Sequence, residues 1–279
     1  MKPAIVAKLK TELTPLFSDN EIQNFTCLIL ERVAGLSYTE IFTHDDFKFS
    51  NEQLLIIDQI IERLKNKEPI QYILGETDFL KSRFWVDGRA LIPRPETEEL
   101  ITWVIESNIK EQPKILDIGT GCGCIAISLG QKIKNSNISA FDISLDALHL
   151  AHENAEINNV FVRFYHVNIL KQPIWDETFD IIVSNPPYVL QSEKADMDEN
   201  VLNFEPSIAL FVSDDDPLLF YRHIGQFALN QLNPEGQLFF EINQAFGKEI
   251  IKLLKKNGFK DVELRQDLSG HDRFVKATK

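Results

Sequence analysis

Lys114-Ile115-Leu116-Asp117-Ile118-Gly119-Thr120-Gly121-Cys122-Gly123-Cys124-Ile125-Ala126 is the stretch whose reading decides the fold of this chain. Lys114–Ile118 has the composition of a buried strand, and residues 125–129 open a helix. Glycines at alternate positions between them let the backbone approach a ligand closely. Strand, glycine turn and helix together make the first crossover of a nucleotide-binding sheet. The spacing Gly-x-Gly-x-Gly departs from the dinucleotide pattern G-x-G-x-x-G.

Outward from this stretch, strands and helices alternate. Residues 138–142 form a strand ending in Asp142, 25 positions after Asp117. A carboxylate at that strand tip can accept both hydroxyls of a ribose. It can equally cap the helix of residues 145–157, for which Ser144 is a competing cap. Residues 160–167 form a third strand, followed by Asn168 and Ile169, and residues 179–183 a fourth. A helix near 218–232, a strand at 236–242, a helix at 244–257 and strands at 262–265 and 273–276 complete seven strands with helices between them. Open parallel sheets bind ligands at the carboxyl ends of their strands, and residues 119–123, Asp142, Asn168 and Asn185 all fall at such ends.

The fourth strand stops at Ser184-Asn185-Pro186-Pro187-Tyr188. The prolines have fixed φ and no N–H, and Pro187 pushes Pro186 towards an extended conformation, so the Pro186 carbonyl points in a defined direction. With the Asn185 side chain it offers two acceptors for a planar –NH2 group, and Tyr188 adds an aromatic face. Alone, Asn-Pro is an ordinary strand-terminating turn. After a buried strand and downstream of the glycine turn, the full motif suits a substrate amide or amine.

Residues 1–70 carry two helix-period apolar stripes, one of them capped by Ser50 with Gln53 in capping-box spacing, and no strand pattern. This reads as a small helical docking domain. Residues 71–94 read as a hairpin linker, and residues 95–279 as the α/β domain, whose first helix opens at Pro95.

The formal net charge of −13 argues against tight binding to a bare phosphate backbone. Cys27, Cys122 and Cys124 supply no disulfide framework, and no Cys or His pair completes zinc spacing, so no metal is expected. No apolar run has the length of a membrane span and the N-terminus lacks a signal-type apolar core, so a cytoplasmic protein without membrane attachment is expected. A monomer is the expected state.

A nucleoside-binding half without a phosphate-cradling lysine fits S-adenosylmethionine better than ATP or NAD, and the acceptor-rich turn then suggests methyl transfer to a planar nitrogen. PIQYILGETDF, LIPRPETEEL, ILDIGTGCGCIA, FDISLDAL, IVSNPPY, NFEPSIAL, LFFEI and DLSGHDRFV stand in the order found in one family. From Pro69 to the C-terminus the chain resembles the protein-(glutamine-N5) methyltransferases specific for peptide-chain release factors. The resemblance implies a seven-stranded Rossmann-like S-adenosylmethionine-dependent methyltransferase domain behind a small N-terminal helical domain. It implies that Gly119, Thr120, Gly121, Cys122 and Gly123 lie under the methionine moiety, that Asp142 holds the ribose, and that Asn168 and Ile169 lie at the adenine. Asn168 departs from the acid common in relatives. Asn185 and Pro186 would hold the substrate glutamine of the Gly-Gly-Gln motif, Pro187 and Tyr188 would complete its slot, and Asn185, Pro186 and Tyr188 would be the catalytic set. Arg94, Thr97 and Glu98 border the site without individual roles. The rival readings are glutamine methylation of a ribosomal protein, disfavoured by LIPRPETE and DLSGHDRFV, and amino-methylation of adenine in nucleic acid, disfavoured by the charge.

Residues 191–216 hold eight acids against Lys194. The segment is either a solvated loop or a surface meeting a basic loop beside the target glutamine.

Overall fold

The computed structural model describes residues 2–43 and 46–279, and these fall into two compact units. The first runs up to Gly75 and includes Asp198–Phe204; the second comprises Glu76–Met197 and Glu205–Lys279.

The first unit contains α1 (Lys2–Leu13), α2 (Asp19–Ala34), α3 (Tyr38–Thr43), α4 (Asn51–Lys65) and α5 (Ile70–Leu74). The apolar stripes of these helices meet in one core that buries Leu9, Leu13, Ile29, Leu30, Ile57 and Ile61. Ser50 and Gln53 form the expected capping box, Gln53 N–H donating to Ser50 Oγ at 3.1 Å and Ser50 N–H to Gln53 Oε1 at 2.9 Å. Ser18 and Glu21 form a second one at the start of α2.

In the second unit, β1 (Glu76–Phe79) and β2 (Ser82–Trp85) form an antiparallel hairpin turning on Leu80 and Lys81, both with positive φ. Phe79 and Phe84 are buried in this unit's core, edge to face at 5.9 Å. Then follow α6 (Pro95–Ser107), β3 (Lys114–Ile118), α7 (Cys124–Lys132), β4 (Asn137–Asp142), α8 (Leu145–Ile157), β5 (Val162–His166) and β6 (Phe179–Ser184). A connection carrying the two-residue strands β7 (Val189–Leu190) and β8 (Phe211–Val212), between which the chain gives α9 (Glu199–Phe204) to the first unit and α10 (Ser207–Leu210) to this one, leads to α11 (Leu219–Gln231). The chain closes with β9 (Leu232–Glu241), α12 (Gly247–Asn257), β10 (Lys260–Gln266) and β11 (Asp272–Thr278).

The sheet order is β10-β11-β9-β6-β3-β4-β5, with β11 antiparallel to both neighbours and the five strands from β9 to β5 parallel. Side chains alternate between two apolar layers: Ile115, Ile181 and Val183 enter one, and Leu116, Ile118 and Ile182 the other. Both faces are therefore buried, which is why β3 and β6 read as nearly continuous apolar runs. The chain leaves β3 towards β4 and β5, then returns to place β6 on the other side of β3. That reversal sets a crevice at the carboxyl ends of β3 and β6, where Gly119 and Asn185 follow their strands.

The strand expected at residues 236–242 begins four residues earlier, at Leu232, and its register against β6 is irregular there; Glu235 adopts φ +62°. The β7–β8 pair was not expected; each strand has only two residues, too few for a periodic signal. Among the described residues no helix is long and apolar enough to cross a membrane. None of the described His, Cys, Asp and Glu residues group in threes or more to hold a metal ion.

Candidate functional site

A cavity of about 220 Å³ opens at the carboxyl ends of the parallel strands. Its wall includes Gly119, Thr120, Gly121 and Cys122 from the glycine turn, Asp142, Asn168 and Ile169 from the next two strand ends, and Asn185, Pro186 and Pro187. Ten of the residues singled out in the sequence thus converge. Gly123 and Tyr188 do not line the cavity.

The glycine turn is built on hydrogen bonds from its own N–H groups. Gly119 and Thr120 N–H both donate to the Phe141 carbonyl, at 2.8 and 3.0 Å. Gly121 N–H donates to Asp142 Oδ2 at 2.9 Å, and Ser144 N–H to Asp142 Oδ1 at 2.9 Å. Ser144, not Asp142, caps α8, accepting from Ala147 N–H at 3.2 Å. Asp142 is thereby held on the cavity wall by backbone N–H groups, its carboxylate still able to accept a further hydrogen bond. Burial pushes its pKa up, and the N–H groups of Ser144 and Gly121 pull it back.

Gly123 serves packing. It caps α7 at φ +86°, and a Cβ there would lie 2.9 Å from Ile127 Cδ1 and 3.1 Å from Ala151 Cβ. Beneath the turn, Asp117 is fully buried; its Oδ2 accepts from Thr120 Oγ1 at 2.6 Å and Ala126 N–H at 3.2 Å, while Oδ1 has no partner. Burial raises its pKa to about 7. Asn154 on α8 ties the turn to the hairpin, donating to the carbonyls of Cys122 and Trp85 and accepting from Trp85 N–H at 2.6 Å.

At the far end Asn168 Oδ1 accepts from Leu170 N–H at 2.9 Å, so its carbonyl is fixed but already holds one donor. Phe141, Ile169 and Ile143 give that end apolar walls, and Phe220 and Ile224 on α11 line the cavity too. Sequence patterning did not single out these two, because they occupy ordinary core positions of an amphipathic helix.

At the substrate end, Asn185 Nδ2 donates to Thr97 Oγ1 at 3.3 Å, and Thr97 Oγ1 donates to Glu241 Oε2 at 2.7 Å. Asn185 Oδ1 and the Pro186 carbonyl take no hydrogen bond from any described residue, and both residues line the cavity. Tyr188, assigned to the slot from its sequence position, packs instead against the apolar layer beneath the sheet and donates its hydroxyl to Glu241 Oε1 at 3.1 Å. Burial, then the charge of Glu241, drives its pKa far up, so it stays a neutral donor. Of the three bordering residues, Thr97 and Arg94 line the cavity, while Glu98 accepts from Leu80 N–H. Arg94 donates to Glu205 Oε1 at 2.6 Å, and Glu205 Oε2 accepts from Ile92 N–H at 3.2 Å. The side chain of Glu205 is 1% exposed, so this buried pair ties Arg94, on the cavity wall, to the segment that carries Pro206, which lines it too.

Four of the eight acids in residues 191–216 are engaged internally. Glu193 accepts from Leu190 N–H and Asn243, Asp214 from Ser192, Asp216 pairs with Arg222, and Glu205 with Arg94.

This set could hold a nucleoside bearing a charged amino-acid tail: the Asp142 carboxylate stands at one strand end, apolar side chains line the wall beyond it, and the glycine turn lies beside it. The family described as methyltransferase small domain matches residues 97–203, and that described as PrmC N-terminal domain matches residues 18–75. A protein of Flavobacterium psychrophilum named release factor glutamine methyltransferase is 47% identical over 95% of this chain and 94% of its own length. The chain belongs to the release factor glutamine methyltransferase family. A Bacteroides thetaiotaomicron protein of the same name is 40% identical, covering 99% of both chains. A methyltransferase structure from Pyrococcus furiosus superposes with a TM-score of 0.54 at 19% identity, over 83% of this chain and 99% of that one, a likeness of fold.

Proposed function

We propose that this chain transfers a methyl group from S-adenosylmethionine to N5 of the glutamine in the Gly-Gly-Gln motif of peptide-chain release factors. The observation that carries the reading is the pair of unengaged acceptors, Asn185 Oδ1 and the Pro186 carbonyl, on the wall of a cavity whose other residues suit that cofactor. Gly119 to Cys122 would pass the methionine moiety, Asp142 would accept the ribose hydroxyls, and Asn168 and Ile169 would border the adenine. When bound, the cofactor supplies an electrophilic methyl on a sulfonium.

An amide nitrogen is a poor nucleophile because its lone pair is delocalised into the carbonyl. Asn185 Oδ1 and Pro186 O accept its two N–H groups, fixing the nitrogen and stabilising positive charge as it develops; one of the two protons then leaves to solvent, so the methylated amide is neutral. Most of the catalysis is then alignment, which in principle supplies about 7–11 kcal/mol. Removing one preorganised contact to developing charge costs about 2.7–4 kcal/mol.

The test is incubation of the purified chain with labelled S-adenosylmethionine and, separately, a release factor, its Gly-Gly-Gln glutamine-to-alanine variant, ribosomal proteins and adenine-containing oligonucleotides. Label is expected in the unmodified release factor alone. Label in the alanine variant, or chiefly in another substrate, overturns the reading.

A further inference from the structure

We propose that Glu241 is a positioning residue for this reaction: acting through Thr97, it fixes which end of the Asn185 carboxamide faces the cavity. The inference deepens the proposed function and rests on it for its kinetic consequence. Glu241 ends β9, 144 positions from Thr97, and is 1% exposed. An ionised carboxylate only accepts hydrogen bonds, and its two oxygens receive the hydroxyls of Thr97 at 2.7 Å and Tyr188 at 3.1 Å. A threonine hydroxyl has one hydrogen. Because Glu241 takes it, Thr97 has only lone pairs left to offer Asn185, and the end of the carboxamide it can hold is Nδ2, at 3.3 Å. Oδ1 is then the end left for the cavity.

Without the carboxylate, the Thr97 hydroxyl is free to donate to Oδ1, and the Asn185 amide can turn over. It would then present N–H groups to a substrate carboxamide that itself needs acceptors. Selection between these orientations comes from hydrogen-bond polarity, since the two ends of an asparagine amide have nearly the same shape.

The arrangement needs Glu241 Oε2 to accept from Thr97, whose hydroxyl lies 2.7 Å away. Burial raises the Glu241 pKa, and the Thr97 and Tyr188 hydroxyls and the Arg273 guanidinium oppose that rise. Arg273 is held in turn by Asp267, its Nε donating to Asp267 Oδ2 at 3.1 Å. Asp267 is fixed by the N–H groups of Ser269 and His271, at 3.0 and 2.9 Å. The turn Asp267-Leu268-Ser269-Gly270-His271 between β10 and β11 thus holds Arg273, near the start of β11, as a cation behind Glu241.

The experiment compares the full chain with Thr97→Val, Thr97→Ser and Glu241→Gln. It reads kcat and KM for a release factor, the affinity for S-adenosylhomocysteine by calorimetry, and hydrogen exchange of the Asn185 side-chain amide, assigned by its absence in Asn185→Ala. Thr97→Val is expected to lower kcat tenfold or more, with KM and product affinity within threefold. Thr97→Ser is expected to return kcat to within threefold of the parent. The Asn185 amide hydrogens should exchange faster in Thr97→Val and Glu241→Gln. A Thr97→Val enzyme within threefold of parental kcat, or a Thr97→Ser enzyme as impaired as Thr97→Val, overturns the proposal. Should the parent methylate no release factor, the proposed function falls. The exchange data then decide this inference alone: faster exchange supports it and unchanged exchange overturns it.

Discussion

Replacing Gly123 by alanine tests whether the glycines of one motif do one job. Gly123 sits at φ +86°, where an L side chain costs about 1–2 kcal/mol. The new methyl would stand 2.9 Å from Ile127 Cδ1, 3.1 Å from Ala151 Cβ and 3.3 Å from Ala151 Cα. Ile127 can turn, but Ala151 on α8 has no rotamer to change, so α7 and α8 must separate. Overpacking of that kind costs about 1–3 kcal/mol. Together the expected loss is about 2–5 kcal/mol, which in a unit of this size lowers the thermal midpoint by about 4–20 °C. Gly121 has similar backbone freedom, φ +56°, but its added methyl would meet only Ala90 Cβ, at 3.9 Å, on the wall of the cavity. Gly121→Ala is therefore expected to lose more cofactor affinity than Gly123→Ala, and less thermal stability. Calorimetric melting and a product titration of both variants decide the matter. A Gly123→Ala midpoint within 2 °C of the parent would refute the packing argument.

Three further outcomes are expected. Asn185→Ala should lower kcat by about 10²–10³-fold, the effect of losing one preorganised contact, while costing about 0.5–1.5 kcal/mol of stability for its single neutral hydrogen bond to Thr97; single-turnover methyl transfer and urea unfolding check both, and near-parental turnover would contradict the role. Tyr188→Phe removes one of two hydroxyl donors from a buried carboxylate, so it should cost about 1.5–3 kcal/mol in urea unfolding yet lower kcat less than tenfold, because the ring lies outside the cavity wall. Asp117, with its folded pKa raised to about 7 from an ordinary 3.8, contributes stability that is present below the ordinary value and lost as pH rises through 7. Asp117→Asn removes that loss, so its stability relative to the parent should improve from pH 5 to pH 8, by at most about 3 kcal/mol; a difference that stays flat over this range would count against the buried, partnerless oxygen as its cause.

The parts of this molecule legible in its sequence are those whose physics is local. Residues 145–157 were expected as a helix, and α8 has those bounds, because a serine cap and an apolar period mark it from within. The start of β9 was missed because Asn233-Pro234-Glu235-Gly236 has turn chemistry; it is the irregular stretch between Leu232, paired with Phe179, and Gln237, paired with Ile181. In the site, glycines, prolines and strand-end acids announced themselves by type and spacing. Glu241 did not: a single acid within Leu238-Phe239-Phe240-Glu241-Ile242 has no pattern, and its meaning comes from Thr97 and Tyr188, far away in the chain. Asn154 is hidden for the same reason, and the excess of acids in residues 191–216 looked like one surface because composition cannot show that Glu205 is turned inward.

The span between Thr97 and Glu241 also bears on the order in which the protein becomes competent. During synthesis the glycine turn, Asp142 and the Asn-Pro-Pro-Tyr corner all emerge before β9 exists, as do Arg94 and its tether Glu205. Strands β3 to β6 can then assemble most of the cavity wall, yet the hydrogen bond from Thr97 to Glu241 waits for the last quarter of the chain to fold back. Long loop closures of this kind are slow. A nascent chain halted before Glu241 would hold a receptacle without the part that aims it.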